Sequence, residues 1–349
     1  MRDDKITMAK AIAIILMVIC HAGLPGGGEF IAMFHMPLFF FVSGFCFKDR
    51  YLNDGRQFFI NKVKSLYVPF VKWSLIFLML HNVFYNLNIY NGIYGFNGQS
   101  SCLYGIKDML FHALRILFAM NETEQLLGGF WFLKQLFCGS FLALLCFKYM
   151  RSDIYGAIAL LAAAMLLSWL DADIPFFHIS SLTFLSAFFI VTGRVYKKMP
   201  LNLDKWGFSL FSFIAVLTGS ILCGTSMLTY STKQILPYSI CAILGTIMVL
   251  NISEHLIKVQ NFFSKILMYI GDHTLVILTW HFLSFKIVSL LLIWMYKLPV
   301  EQLAYFPTIP EYSSRYWPLY SIVGIVIPVG GNYIIQRAAD YFTARQGSH

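Results

Sequence analysis

The sequence predicts an all-α fold: a polytopic membrane protein with about ten transmembrane helices and both termini cytoplasmic, forming one membrane-embedded domain over residues 1–349. Three observations predict it. The chain is 58% hydrophobic and only 12% charged, with a mean hydropathy of +0.67, far more apolar than ordinary soluble proteins. It contains ten apolar runs of spanning or near-spanning length. The Lys and Arg residues between those runs alternate from rich to poor, as the positive-inside rule requires.

The first run, 6–23, ends in His21-Ala22-Gly23-Leu24-Pro25 and is followed at once by a second at 30–47, so it reads as a span and not a cleaved leader. Further spans are predicted over 66–88, 129–148, 154–170, 179–196, 207–224 and 235–254. The stretch 266–294 is longer than a perpendicular helix needs and is expected to tilt or break near Gly271. A last span covers 317–336. Residues 106–119 are amphipathic but too short to cross, which predicts a helix lying at the interface. The chain is 17% aromatic, with 34 Phe, as lipid-facing surface and interfacial belts require. The short alternating segments of a barrel are absent from the sequence.

With the N-terminus inside, cytoplasmic segments carry 17 of the 26 basic residues and outer segments carry five. The other four, Lys10, Lys72, Lys134 and Lys286, fall inside spans. Dropping one span would scramble this partition. The formal charge of +9 therefore reflects topology and gives no reason to expect nucleic acid. All the cysteines but Cys102 lie in or beside spans, which argues against a disulfide framework. No Cys/His spacing suits a metal.

Lys10 and His21 are separated by ten apolar residues. On a helix they share one face, roughly 16 Å apart along the axis. Ionisable groups inside spans usually mark a site or a pathway. Loop 48–65 is strongly basic and suits a phosphate-rich cytosolic ligand, although a positive-inside loop has the same composition. Gly26-Gly27-Gly28 and Glu29 follow His21, and such a turn allows close approach of a ligand as well as a tight connection.

Three stretches carry a resemblance. They are Lys10 with His21; the segment from Phe34-His35-Met36-Pro37 to Ser43-Gly44-Phe45; and Trp131-Phe132-Leu133. A weaker fourth is Ile270-Gly271-Asp272-His273-Thr274-Leu275, running on to Trp280-His281-Phe282. Together they resemble the acyltransferase-3 family of integral membrane O-acyltransferases, in particular its fucose 4-O-acetylase-like branch. The chain departs in having Lys10 where the family often has arginine, and Lys62, Lys64 and Ser65 where it tends to have an arginine pair.

The resemblance implies transfer of an acyl group, usually acetyl from cytosolic acetyl-CoA, to a hydroxyl of a cell-surface or lipid-linked glycan. It also implies a bacterial cytoplasmic membrane, with a carbohydrate or glycolipid acceptor and membrane lipid as partners. On it, His21 is a general base or an acyl carrier, the base being the simpler role. His35 orients His21 or donates to the oxyanion. Lys10, Lys62 and Lys64 meet the acyl-CoA. Trp131 stacks on a sugar or on adenine. Composition, and not the resemblance, makes the outer loop 89–128 (Tyr90, Tyr94, Asn97, Gln99, Glu122) the candidate for acceptor recognition, with Glu29 beside His21, since aromatics and amides suit sugars; a solvated loop has the same composition. Each residue also has a plainer reading: snorkelling for Lys10, a girdle position for Trp131, backbone-satisfied burial for His35. Trp280 and His281 line a tunnel or fill the core. A multi-span transporter or flippase is the competing class, though the sequence shows no related halves.

Overall fold

The computed structural model describes residues 3–95, 102–121, 124–175, 177–199, 205–259 and 261–346, the last six as backbone. Among them every regular element is helical, and the β pairing is confined to an isolated bridge between Ile174 and Ile179. Asn97, Gln99 and Glu122 lie outside the described residues.

Helix α1 is Asp4–His21, and the Asp3 carboxylate starts it by accepting from the backbone N–H of Lys5 at 3.1 Å and of Ile6 at 3.4 Å. The second predicted span, 30–47, is two helices, α2 (Gly28–Ala32) and α3 (His35–Phe45). Pro37 accounts for the break: it has no N–H for the Met33 carbonyl, and its ring crowds that carbonyl. The third predicted span begins earlier than 66. It runs through α4 (Gly55–Lys62), a π-helical turn (Val63–Tyr67) and α5 (Val68–Asn86). Then come α6 (Ile106–Ala119), α7 (Trp131–Tyr149), α8 (Asp153–Trp169), α9 (Ser181–Lys198), α10 (Lys205–Cys223) and α11 (Ile235–Lys258). The long stretch 266–294 breaks close to Gly271, as its length predicts, dividing at His273 into α12 (Phe262–Asp272) and α13 (Thr274–Tyr296). The last helix, α14, is Pro310–Gln346.

By length and composition, 7 helical stretches among the described residues can cross a membrane: Gly28–Phe45, Gly55–Asn86, Trp131–Tyr149, Lys205–Cys223, Thr232–Lys258, Thr274–Tyr296 and Pro310–Asp340. The other predicted spans coincide with α1, α8 and α9. Helix α1 carries Asp4, Lys5 and Lys10, and α9 carries Arg194, Lys197 and Lys198, each within 18 residues. Helix α8 has 17 residues. Helix α6 keeps Ile106, Leu110, Phe111, Leu114 and Phe118 exposed and buries Ile116 alone, the one-sided pattern of an interfacial helix.

Helix α1 is the hub, packed against α3, α11, α12, α13 and α14. Helix α9 ties α3, α7 and α8 together. Its crossing with α3 is close because it is glycine on both sides: a Cβ on Gly44 would collide with the Ile190 carbonyl, and one on Gly193 with the Phe41 carbonyl. Gly271 meets the Thr7 carbonyl in the same way, bringing α12 onto α1. At the far end of α5, His81 is buried with Nδ1 3.0 Å from Glu124 Oε2 and Nε2 2.9 Å from the Cys102 carbonyl, stacked on Tyr104 at 3.5 Å. This clamp holds Cys102 and Glu124 on α5. Tyr90, expected to meet an acceptor, is fully buried against Phe84 and His81.

Candidate active site

Five residues of α1 form one stripe at helical spacing: Ile6, Lys10, Ile14, Met17 and His21. The stripe faces two cavities. The inner cavity, of about 310 Å³, is lined by Lys10, Ser43, Cys46, Ser65 and a largely apolar wall that includes Phe39 and Phe132. The outer cavity, of about 150 Å³, is lined by Cys20, His21, His35, Trp131, Met227 and their neighbours. Met17, Met36 and Leu278 line both and form the neck between them. Helix α7 also straddles the neck, with Trp131 on the outer cavity and Phe132 and Leu133 on the inner one.

His21 Nδ1 lies 3.1 Å from His281 Nε2, with the rings stacked at 5.3 Å and 15°. His281 is fully buried, and its Nδ1 faces the carbonyls of Ile277 at 2.9 Å and Leu278 at 3.1 Å. A carbonyl only accepts, so His281 Nδ1 carries the proton and, in the neutral ring, Nε2 holds the lone pair. His21 Nδ1–H therefore donates to His281, which leaves His21 Nε2 as an acceptor. Backbone carbonyls of α13 thus fix the tautomer of a side chain on α1. Phe282, its ring 4.9 Å from that of His21, packs the pair in place.

His35 follows the same logic. Its Nδ1 donates to the Ile31 carbonyl at 2.8 Å, beside the Phe34 N–H that bonds the same oxygen at 3.2 Å at the break between α2 and α3. In the neutral ring that bond engages the donor. Nε2 is then an acceptor, and an oxyanion-donor role is open to His35 only in another protonation state. Two imidazoles with accepting nitrogens lining one small cavity suit a ligand rich in hydroxyl donors.

At the inner side, Lys62 Nζ donates to Ser43 Oγ at 3.3 Å and lies 5.4 Å from the Phe58 ring. The π-helical turn that follows brings Ser65 and Leu66 to the cavity wall. Lys64 sits on the exposed side of that turn, away from the lining. The Arg50 guanidinium, 5.2 Å from the centre of the Tyr51 ring, and the Asn61 amide, which donates to the Tyr51 hydroxyl at 3.0 Å, hold that phenol below its usual range. Arg194 has a structural role: it is buried, paired to Asp49 at 2.7 Å and Asp153 at 3.0 Å, with its guanidinium over Phe147.

The structure therefore brings His21, His35 and Trp131 to one cavity, Lys10 to the adjoining one and Lys62 to that cavity's Ser43 wall. Glu29 is exposed beside Gly224 and lines neither cavity. Lys134 is buried and lines neither. Sequence reasoning left His281 undecided between tunnel and core, and it missed the neck residues and the Ser226-Met227-Leu228 wall. The fourth, weaker match was the available signal for His281.

Compared with known proteins, residues 3–337 match the family model described as an acyltransferase domain. No curated protein and no solved structure matches the chain.

Proposed function

Because the chain belongs to the acyltransferase-3 family, whose model covers residues 3–337, we propose that it is a membrane O-acyltransferase that takes acetyl from cytosolic acetyl-CoA. The acceptor is a hydroxyl of a cell-surface or lipid-linked glycan, as in the fucose 4-O-acetylase-like branch. In this reading the chain crosses a bacterial cytoplasmic membrane ten times with both termini inside. The observation that carries the reading is the pair of cavities meeting at a neck, with an oriented histidine on the outer side.

The donor enters from the cytoplasm. Lys10 and Lys62 attract the coenzyme's phosphates at the inner mouth, with Lys64 on the surface beside them. The apolar inner cavity holds the thioester arm, its carbonyl carbon at the neck. The acceptor occupies the outer cavity against Trp131. As its hydroxyl oxygen attacks the carbonyl carbon, His21 Nε2 takes the hydroxyl proton. The tetrahedral intermediate collapses by breaking the carbon–sulfur bond, and the leaving thiolate takes the proton back from His21. His281 stabilises the transient imidazolium by accepting from its Nδ1–H. His35 accepts from a second hydroxyl and holds the acceptor in register.

The test is transfer of labelled acetyl from acetyl-CoA to cell-envelope glycan in membranes holding equal amounts of each variant. Wild type labels glycan, His21→Ala loses at least about 100-fold, and Lys10→Ala and Lys62→Ala raise the acetyl-CoA concentration for half-maximal rate. Full transfer by His21→Ala would remove His21 from the chemistry. Acceptor flux that persists in His21→Ala, with no acetyl transfer by wild type, would point to a transporter.

A further inference from the structure

A third cavity, of about 690 Å³, lies on the flank of the bundle between α5 and α14, with α13 as its floor. It runs from Leu275 to Leu290 along α13, fifteen residues or about 22 Å of helix. That is much of the hydrocarbon thickness of a bilayer, roughly 30 Å. Its walls are largely apolar, with Trp73, Trp280 and Leu283 at the centre and Pro328 on α14. The sequence of α14 keeps the crevice open: at Gly331, which lines it, an added Cβ would meet nothing within 4 Å. Ile327 and Ile335 line it too and remain 48% and 69% exposed, so protein does not cover this side.

Two ammonium groups face the crevice, and they differ. Lys286 is buried and donates to the carbonyls of Leu303 at 2.9 Å and Tyr305 at 2.5 Å, so its hydrogen-bonding needs are met within the protein. Lys72 is exposed. Its one recorded partner among the described residues is the Trp73 ring, at 4.8 Å, and no carboxylate pairs with it. It stands one turn into α5, at the cytoplasmic side in the topology proposed above. A long apolar slot with a cation at one end matches a phospholipid, chain in the slot and anionic headgroup at the lysine.

We infer that this crevice binds one membrane phospholipid with an anionic headgroup, held by Lys72, with an acyl chain lying along α13 between Trp73 and Gly331. The assignment to the cytoplasmic leaflet rests on the proposed topology; the binding itself does not. The lipid lies behind the site: Leu275 lines both this crevice and the inner cavity, and Trp280 precedes His281. The bound chain therefore supports the helix that orients His21.

The full-length chain, purified from its membrane and exchanged into a neutral detergent, is examined by native mass spectrometry for retained lipid. Wild type keeps one phospholipid, enriched in anionic headgroups over the source membrane. Lys72→Ala lowers that enrichment about fivefold. Gly331→Phe fills the crevice and loses the lipid. Gly330→Phe, one position on and outside the lining, retains it. Should Gly331→Phe misfold, the Lys72→Ala ratio decides. Loss of all lipid from wild type, unchanged retention in Gly331→Phe, or unchanged headgroup preference in Lys72→Ala would each overturn the inference. Retention of a polyprenyl phosphate in place of a phospholipid would replace the occupant named here.

Discussion

His21 shows how a side chain's chemistry is set from far away in sequence. Its base strength and geometry depend on which nitrogen carries the proton, and that is decided by the Ile277 and Leu278 carbonyls through His281. In the proposed mechanism His281 is a positioning residue, and its replacement separates rate from binding. His281→Phe is expected to lower kcat about 10–100-fold, the usual cost of removing a group that orients a functional histidine. The KM for acetyl-CoA should hold, because the cavity proposed for the donor lacks His281. His281→Gln, whose amide oxygen can accept from His21 Nδ1–H, should recover much of the loss. Equal kcat for the Phe and Gln variants would show that His281 only fills space. Much of this site was legible in the sequence. The spacing of Lys10 and His21 placed both on one stripe, and His35 and Trp131 came from recognisable segments. The pairing with residue 281 was not, because a single sequence does not say which helix packs against which.

At the scale of elements, hydropathy and length located the apolar helices and the break near Gly271, but not the one in the second run. A window of apolar residues reads the same whether its helix is continuous or broken, so Met33-Phe34 falls inside a run of ordinary length that looked whole, whereas the excess length of 266–294 pointed to the break observed at His273. The breaks place chemistry. At the first, the Ile31 carbonyl accepts from His35 Nδ1 as well as from the Phe34 N–H, and the second starts α13 where Thr274 and Leu275 reach the inner cavity. The amphipathic 106–119 segment was legible as a helix because its polar face repeats at helical period. The glycine crossings set how closely helices approach. Gly44→Ala pushes a methyl into the Ile190 carbonyl and should cost about 1–3 kcal/mol, visible as a lower unfolding temperature in detergent. Gly330→Ala, where an added Cβ meets nothing within 4 Å, should leave that temperature unchanged or raise it. Equal behaviour of the two variants would contradict the close α3–α9 contact.

The whole molecule is a bundle around α1 with hollow space on either side of one neck. Its orientation in the membrane is open to a direct check. Cys46 and Cys102 are both exposed and fall on opposite sides in the ten-span topology. In single-cysteine variants, an impermeant maleimide added to intact cells should label Cys102, and should label Cys46 only after the membrane is opened. Labelling of both from outside, or of Cys46 alone, would refute that topology. Charge counts supply the proposed topology; cavities are a property of packed side chains and were not legible in the sequence. The neck has a consequence for the cell that houses it. A chamber with a lysine facing one compartment and histidines facing the other would conduct protons if water ran through it. Met17, Met36 and Leu278 offer water at most the weak acceptor of a thioether, and an apolar constriction of this kind tends to empty of liquid. In the proposed topology, two thioethers and one branched alkyl group would thus keep the two compartments electrically apart across the path the reactants share.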